Sequence, residues 1–406
     1  MTIENPNPAT GEVNFMDAAF AACPQPIYAK ILEEFRVATM AVLGAPVLSR
    51  YEDVMWALRH PEIFSSAMDI HVALGTERPM IPQQVDPPQQ TRYRKILDQR
   101  FSRQRSLELD PAIRRHANEL IDAFIDRGEC EFDQEFAVPL PCHAFLSLMG
   151  LPQDDLRLFI ELKDGIIRPP VPPTDLAAAY EHRAQTGKRI YAYFEKVIDD
   201  RLAAPRDDIV TYLTTAEIDG ERLSRNEALD ICYLLLIAGL DTVTATLGCA
   251  IAYLAAHPDH RRRFVKEPEL RMAAIEELLR WETPVTMVPR VVKQDVKVGD
   301  VEIRAGTLVN LLLGAANIDA AEFAEARQVE FERQQNRHLA FGGGPHRCLG
   351  SHLARMELRA ALEEWHRRIP EYAIKPGETP RFSPSIREVR YLPLVWDMRS
   401  GQKGMQ

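Results

Sequence analysis

The residues best suited to chemistry lie late in the chain, in Phe341-Gly342-Gly343-Gly344-Pro345-His346-Arg347-Cys348-Leu349-Gly350, which leads directly into the helical pattern LARMELRAALEEW. Glycines, lacking Cβ, let a backbone come close to a bound group. A cysteine at a helix start sits at the positive end of the macrodipole beside free amides, which favours the thiolate and lowers the thiol pKa. Such a thiolate is a metal ligand or a nucleophile. A phosphate cradle is ruled out, since no Lys-Ser or Lys-Thr follows the glycines. A zinc site would need two ligands beyond His346 and Cys348 at characteristic spacing, and none is evident nearby. A tight structural turn remains open.

Two further constellations stand upstream. Ala238-Gly239-Leu240-Asp241-Thr242 interrupts an apolar helical run with a glycine and an acid–alcohol pair, and polar groups in such a place need partners. A purely structural account has Thr242 bonding back to a carbonyl one turn earlier and Asp241 meeting a buried partner. Glu277-Leu278-Leu279-Arg280 sets a carboxylate and a guanidinium three apart on one helix face. In isolation that is a surface ion pair worth about 0 to 1 kcal/mol.

The pattern Phe-Gly-x-Gly-x-His-x-Cys-x-Gly resembles the haem-binding signature of the cytochromes P-450, and the other motifs fall in that family's order along nearly the whole chain. The resemblance implies haem b, with Cys348 as the axial thiolate and the only metal ligand, in a motif that includes Phe341, His346 and Gly350. It places Ala238 and Gly239 beside the iron, where glycine leaves room for dioxygen. It gives Asp241 and Thr242 the catalytic role of delivering two protons to an iron-bound peroxide, Asp241 being the proton source. Arg94, Arg290 and His346 match propionate partners. Gln90 stands where the family has a histidine, and its amide can donate a hydrogen bond but carries no charge. Glu277 and Arg280 match the family's structural Glu-x-x-Arg pair, with Arg333 as a third member. Ile318 and Ala320 depart from the pattern, standing where Arg and Pro are common.

The same resemblance implies a monooxygenase that uses dioxygen, two electrons and two protons to hydroxylate or epoxidise an apolar small molecule of terpenoid, steroid, fatty-acid or aromatic type. The pocket would be lined by residues 68–81, the region near Ile167, and residues 235–240, 285–288 and 383–386. No flavin or iron–sulfur segment is appended, so a ferredoxin and its reductase would supply electrons, docking on Arg100, Arg103, Arg105, Arg347 and Arg355. The alternatives are a peroxide-driven haem-thiolate oxygenase and a non-catalytic haem-thiolate sensor. The Asp241–Thr242 pair favours the oxygen-dependent enzyme.

Mostly helical elements must position these residues. Ser224-Arg225-Asn226-Glu227 forms a capping box that opens a helix running to about His257, roughly 48 Å at about 1.5 Å per residue. Other helices are expected over residues 52–59, 92–101, 110–128, 176–202, 269–281 and 350–368. A smaller β region is signalled by Val296-Lys297-Val298 and Val301-Glu302-Ile303 around a Gly299-Asp300 turn, with a last strand-like stretch from Tyr391 to Trp396. The expected architecture is mostly α with a smaller β region, the cytochrome P-450 fold, with haem between a long central helix and the cysteine loop. Residues 1–15 are expected to form a flexible leading segment, 16–400 one haem domain and 401–406 a tail.

The remaining composition excludes several classes. A net charge of −10 over 406 residues argues against a nucleic-acid partner. The N-terminus has no secretory pattern, and the most apolar stretch, Tyr233 to Leu240, is short for a bilayer, so a cytoplasmic protein without a membrane anchor is expected. Six widely spaced cysteines without a CxxC pair fit a reducing compartment.

Overall fold

The computed structural model describes residues 11–68, 74–172, 175–218, 220–383 and 386–397. Short helices α1 (Ala18–Ala22) and α2 (Gln25–Glu34) precede α3 (Tyr51–Arg59), α4 (Gln89–Arg100), α5 (Arg103–Glu108) and α6 (Asp110–Asp122). The middle of the chain forms α7 (Pro139–Met149), α8 (Leu156–Ile167), α9 (Leu176–Ala203), α10 (Ile209–Thr215) and α11 (Arg225–Ala256). Then come α12 (Pro258–Lys266), α13 (Arg271–Glu282), α14 (Leu313–Ala316) and α15 (Ser351–Arg368). The sequence marked α3, α4, α6, α9, α11, α13 and α15. It left α7 and α8 unmarked, and both prove essential to the site.

α11 organises the helical body. The Ser224 hydroxyl accepts from the Glu227 amide at 3.2 Å and the Glu227 carboxylate accepts from the Ser224 amide at 2.7 Å, so the capping box forms as expected. By length and composition α11 could span a bilayer, but most of it is buried inside the fold, which accounts for its apolar character. Its C-terminal half packs with α6, α7, α13 and α15 around fully buried Trp365, which Phe132 meets edge-on at 4.8 Å. Its N-terminal half packs with α4, α7, α8, α9 and α10 in a second cluster that includes Phe145, Phe159 and Tyr233.

The β region is larger than expected. A six-stranded sheet has the order Glu12–Val13, Val37–Met40, Pro46–Leu48, Leu308–Leu311, Val288–Val292, Phe64–Ser65. It includes a parallel pairing of Leu308–Leu311 with Pro46–Leu48, between segments so far apart in sequence that no hairpin signal announces it. The hairpin around Gly299 forms in the expected register, Val298 opposite Val301, with Gly299 at φ 59°. The strand-like stretch from Tyr391 to Trp396 holds the end of one short strand, Val389–Tyr391, and the whole of another, Pro393–Val395.

Two boundaries differ from expectation. Val13 and Phe15 are buried and Glu12–Val13 pairs with Thr39–Met40, so the sheet begins inside the segment 1–15. α6 stops at Asp122 rather than at 128; a short 3-10 turn, Ile125–Arg127, follows and ends on Gly128 at φ 69°. Residues 69–73, 384 and 385, expected to line a pocket, and the tail 401–406 lie outside the described residues.

Candidate active site

The glycine loop is pressed onto α3. Gly344 has φ 62°, and a Cβ there would lie 2.0 Å from the Leu58 carbonyl oxygen, so only glycine fits. Gly343 packs beside Met55 and Leu58. The Cys348 amide donates to the Phe341 carbonyl at 2.8 Å, closing the loop, and the Arg355 guanidinium caps the Phe341 ring at 4.3 Å. Arg355 is itself gripped by both oxygens of Glu276, at 2.6 and 2.7 Å. Burial opposes the Glu276 charge, but hydrogen bonds from Arg355 and His338 hold its pKa down at about 2. Gly350 then starts α15, with open space where a Cβ would be.

Cys348 is exposed. The protein mass around it nonetheless raises the thiol pKa above its usual range, against the opposing pull of the Gly350 backbone and of Arg94, Arg355 and Arg347. The lowering expected from the helix start is therefore present and outweighed, because desolvation of an anion costs more here than one amide returns.

Three cationic or protonatable groups gather near this loop. Arg290, only 8% exposed, donates to the carbonyl of its own neighbour Pro289 and forms no ion pair among the described residues. Burial lowers its pKa to about 10, with Asp86 pulling the other way. His346 Nε2 is buried with no partner, and burial, then Arg290, brings its pKa down to about 4. Arg94 donates to the Arg347 carbonyl at 2.9 Å and pairs with Asp98 at 2.9 Å. Gln90, expected at a propionate, gives Nε2 to the Pro345 carbonyl at 2.6 Å, so here it ties α4 to the cysteine loop. A buried guanidinium without a counter-ion and a buried imidazole nitrogen without a partner are unfavourable unless an anionic group completes them. The residues present therefore fit a cofactor that carries carboxylates.

On the other side of the core, Ala238 and Gly239 are exposed although Leu236, Leu240 and Asp241 beside them are buried. A Cβ on Gly239 would have only Phe145 within 4 Å, at 3.8 Å. Ile237 and Leu240 on α11 share one apolar cluster with Leu349, the residue after Cys348. The Thr242 hydroxyl donates to the Ala238 carbonyl at 3.1 Å, the back-bond of the structural account, and keeps its lone pairs as acceptors.

Asp241 does have buried partners. Its carboxylate accepts from Lys163 Nζ at 2.9 Å and from Arg168 Nη2 at 2.7 Å, while Arg168 also holds Glu388 through Nε at 3.0 Å and Asp164 at 2.8 Å. Lys163, Arg168 and Glu388 were not singled out from the sequence. Lys163 lies on α8, Arg168 is its C-cap, and Glu388 lies 147 positions beyond Asp241, so nothing local in the sequence links them.

Glu277 and Arg280 are both fully buried and meet at 2.7 and 2.9 Å. Glu277 also accepts from Arg333 at 3.0 Å, from Asn336 at 3.1 Å and from the Glu330 amide at 2.9 Å, while Arg280 donates to the carbonyls of Asn317, Ala326 and Gln328. This is a buried, hydrogen-bonded knot rather than a surface pair, and Arg333 is the expected third member. It pins α13 to the segment leading into the cysteine loop.

A family model described as cytochrome P450 matches residues 171–368. A probable cytochrome P450 127A1 from Sinorhizobium fredii is 35% identical over 339 residues, which is 83% of this chain and 80% of that protein. The chain belongs to the cytochrome P450 family. Among other relatives of this P450, a methyl-branched lipid omega-hydroxylase from Mycobacterium bovis is 32% identical over 87% of the chain and 84% of that protein. The crystal structure of CYP109E1 from Bacillus megaterium in complex with testosterone superposes with a TM-score of 0.84 at 27% identity, covering 92% of this chain and 98% of that one. The P450 is thus a monooxygenase of a family that works through haem iron, and its mostly helical fold is the family's.

The expected docking residues are only partly free. Arg355 is spent on Glu276, Arg105 pairs with Glu108, and Arg100 lies over the Tyr212 ring at 4.2 Å and 3.7 Å from Asp207. Arg103 and Arg347 form no ion pair among the described residues.

Proposed function

We propose that this P450 inserts one oxygen atom from dioxygen into an apolar small molecule, with Cys348 as the thiolate ligand of haem b. Haem held there would supply the activation of dioxygen that no amino-acid side chain provides. The Gly350 backbone and the nearby arginines stabilise the Cys348 anion. Arg290, His346 and Arg94 would receive the cofactor's carboxylates, and Gln90 supports them by fixing the loop that carries His346. Phe341 is held by Arg355 against its ring and keeps the loop's shape, while Ala238 and Gly239 leave space along α11.

Thr242 and Asp241 form the proton route. The Thr242 hydroxyl can pass on a proton while its back-bond holds it in place. Both Asp241 oxygens are claimed by Lys163 and Arg168, so a proton moves through Asp241 only as one of those contacts is given up. Arg168 also holds Glu388, through Nε and through the same Nη2 that reaches Asp241, which limits what that exchange costs.

The substrate reading is a lipid- or steroid-sized molecule. It is supported by the apolar cluster of Phe145, Ile237, Leu240 and Leu349 beside the exposed Gly239, and by relatives named for methyl-branched lipids and for a bound steroid. Electrons would come from a ferredoxin and its reductase in the cytoplasm, through the face that carries Arg103 and Arg347.

The observation that carries the cofactor assignment is the buried Arg290 guanidinium, which forms no ion pair among the described residues, together with the buried, unpartnered His346 Nε2 next to the Cys348 loop. The carbon-monoxide difference spectrum of the dithionite-reduced protein tests it. A long-wavelength Soret band present in the parent and lost in Cys348→Ala is expected, and a band that survives the substitution removes Cys348 as ligand.

A further inference from the structure

Ser65 and Ser66 stand side by side where the strand Phe64–Ser65 ends, both buried, yet their hydroxyls are placed very differently. The Ser65 hydroxyl donates to Asp86 Oδ2 and accepts from the Ala67 amide at 3.0 Å, so it is filled in both roles. The Ser66 amide donates to Asp86 Oδ1 at 2.8 Å. The Ser66 hydroxyl is bonded to neither oxygen. In a residue only 2% exposed, it has no partner among the described residues. A buried hydroxyl in that condition has lost its bonds to water without replacement, which is unfavourable unless a ligand completes it.

The sheet decides what Ser66 faces. Phe64 pairs with Val292 and Ser65 with Val291 in antiparallel register, so the next step along the ladder sets Ser66 opposite Arg290. Residues opposed in this way send their side chains to one face, with Cβ atoms about 5 Å apart. Arg290 is the buried guanidinium that forms no ion pair among the described residues, and its lowered pKa means that Asp86 does not offset its burial. His346, whose charge is opposed by Arg290 and favoured by Asp86, brings a third unfilled group, its buried Nε2. A hydroxyl, a guanidinium and an imidazole nitrogen from three separate segments are thus left incomplete together. An anionic acceptor can take a hydrogen bond from each, whereas an apolar ligand would leave all three unfilled.

Gln90 completes the contrast. Its residue type suggested a contact with the cofactor, but its amide nitrogen is given to the Pro345 carbonyl at 2.6 Å. One expected donor is occupied elsewhere, and an unexpected one stands unused. We propose that Ser66 donates its hydroxyl to a carboxylate of the cofactor, beside Arg290 and His346, and so supplies in this chain the uncharged donor that Gln90 does not. This rests on the cofactor assignment made under the proposed function. Ser66 serves retention of the cofactor and has no part in proton delivery.

Ser66→Ala and Ser66→Thr, purified with haem and measured without added substrate, test the assignment. Haem transfer to an apo-globin acceptor should run about tenfold faster from Ser66→Ala than from the parent, and within about twofold of the parent from Ser66→Thr, which restores the hydroxyl. The resonance Raman band for bending of the haem carboxylate groups should shift in Ser66→Ala and return in Ser66→Thr, a change that loss of packing alone does not produce. An unchanged transfer rate in Ser66→Ala, or a Raman band that stays in place, overturns the proposal. Equally fast transfer from both variants also overturns it, because the hydroxyl is then not what matters. The carbon-monoxide difference spectrum separates this failure from that of the proposed function. A long-wavelength Soret band with unchanged transfer faults Ser66 alone, and a parent without that band faults the Cys348 assignment and the Ser66 contact with it.

Discussion

Arg290 is a guanidinium enclosed by protein that meets no carboxylate among the described residues. In the haem-free chain such a group costs stability, because its desolvation is not offset. Arg290→Met should therefore stabilise the haem-free protein to heat while weakening haem retention about tenfold, measured by transfer of haem to an apo-globin acceptor. Equal losses in both would mean that Arg290 serves packing alone. Thr242 poses the complementary question, since its back-bond to Ala238 is what a structural threonine would make. Thr242→Ala should leave reduction of the protein intact and lower the yield of product per electron consumed about tenfold, the excess appearing as peroxide or water. Unchanged coupling would return Thr242 to a purely structural role.

At the scale of elements, α13 and α15 hold carboxylates with opposite histories. Glu276 and Glu277 on α13 are buried, yet hydrogen-bonded arginines keep them ionised, with Glu276 at about 2. Their folded pKa values lie below the unfolded ones, so the stability they add is present above about pH 4.5 and is lost as pH falls. Glu357 on α15 is buried with Oε2 unpartnered, and desolvation raises its pKa well above the usual carboxylate value. Its sign is reversed. The folded chain keeps a proton that the unfolded chain releases above about pH 4.5, so stability falls as pH rises towards the folded pKa. Glu357→Gln should raise the thermal midpoint by a few degrees at about pH 8 and flatten its dependence above about pH 5, as measured by calorimetry. An identical slope in variant and parent would show that Glu357 is already ionised in the fold.

Over the whole molecule a net charge of −10 coexists with a cysteine face on which Arg103 and Arg347 form no ion pair among the described residues. Long-range repulsion of an acidic carrier must be overcome by a short-range positive patch, and such attraction weakens with salt. Arg347→Glu is expected to slow electron delivery from a ferredoxin about tenfold at low ionic strength, with the difference shrinking as salt is added. Reduction by dithionite should not change. Equal slowing by both donors would place the defect at the Cys348 loop, which Arg347 adjoins, rather than at docking.

The sequence by itself determined the local features. The glycine loop, the capping box at Ser224 and the hairpin at Gly299 each depend on residues within a few positions of one another, and all three formed as expected. So did the Glu277–Arg280 pairing, where three residues on a helix guarantee contact. Burial of that pair is another matter, because only α13's packing against residues 317–336 turns a surface spacing into a closed knot. The tertiary structure likewise decided that Gln90 meets Pro345, that Arg355 is spent on Glu276, and that Asp241 sits between Lys163 and Arg168. It also decided the sign of the Cys348 shift, since a helix end acts over one turn but desolvation sums over all the chain folded around the thiol. Contacts of this kind join positions tens to hundreds of residues apart. No periodicity encodes them, and they exist only once the core has closed.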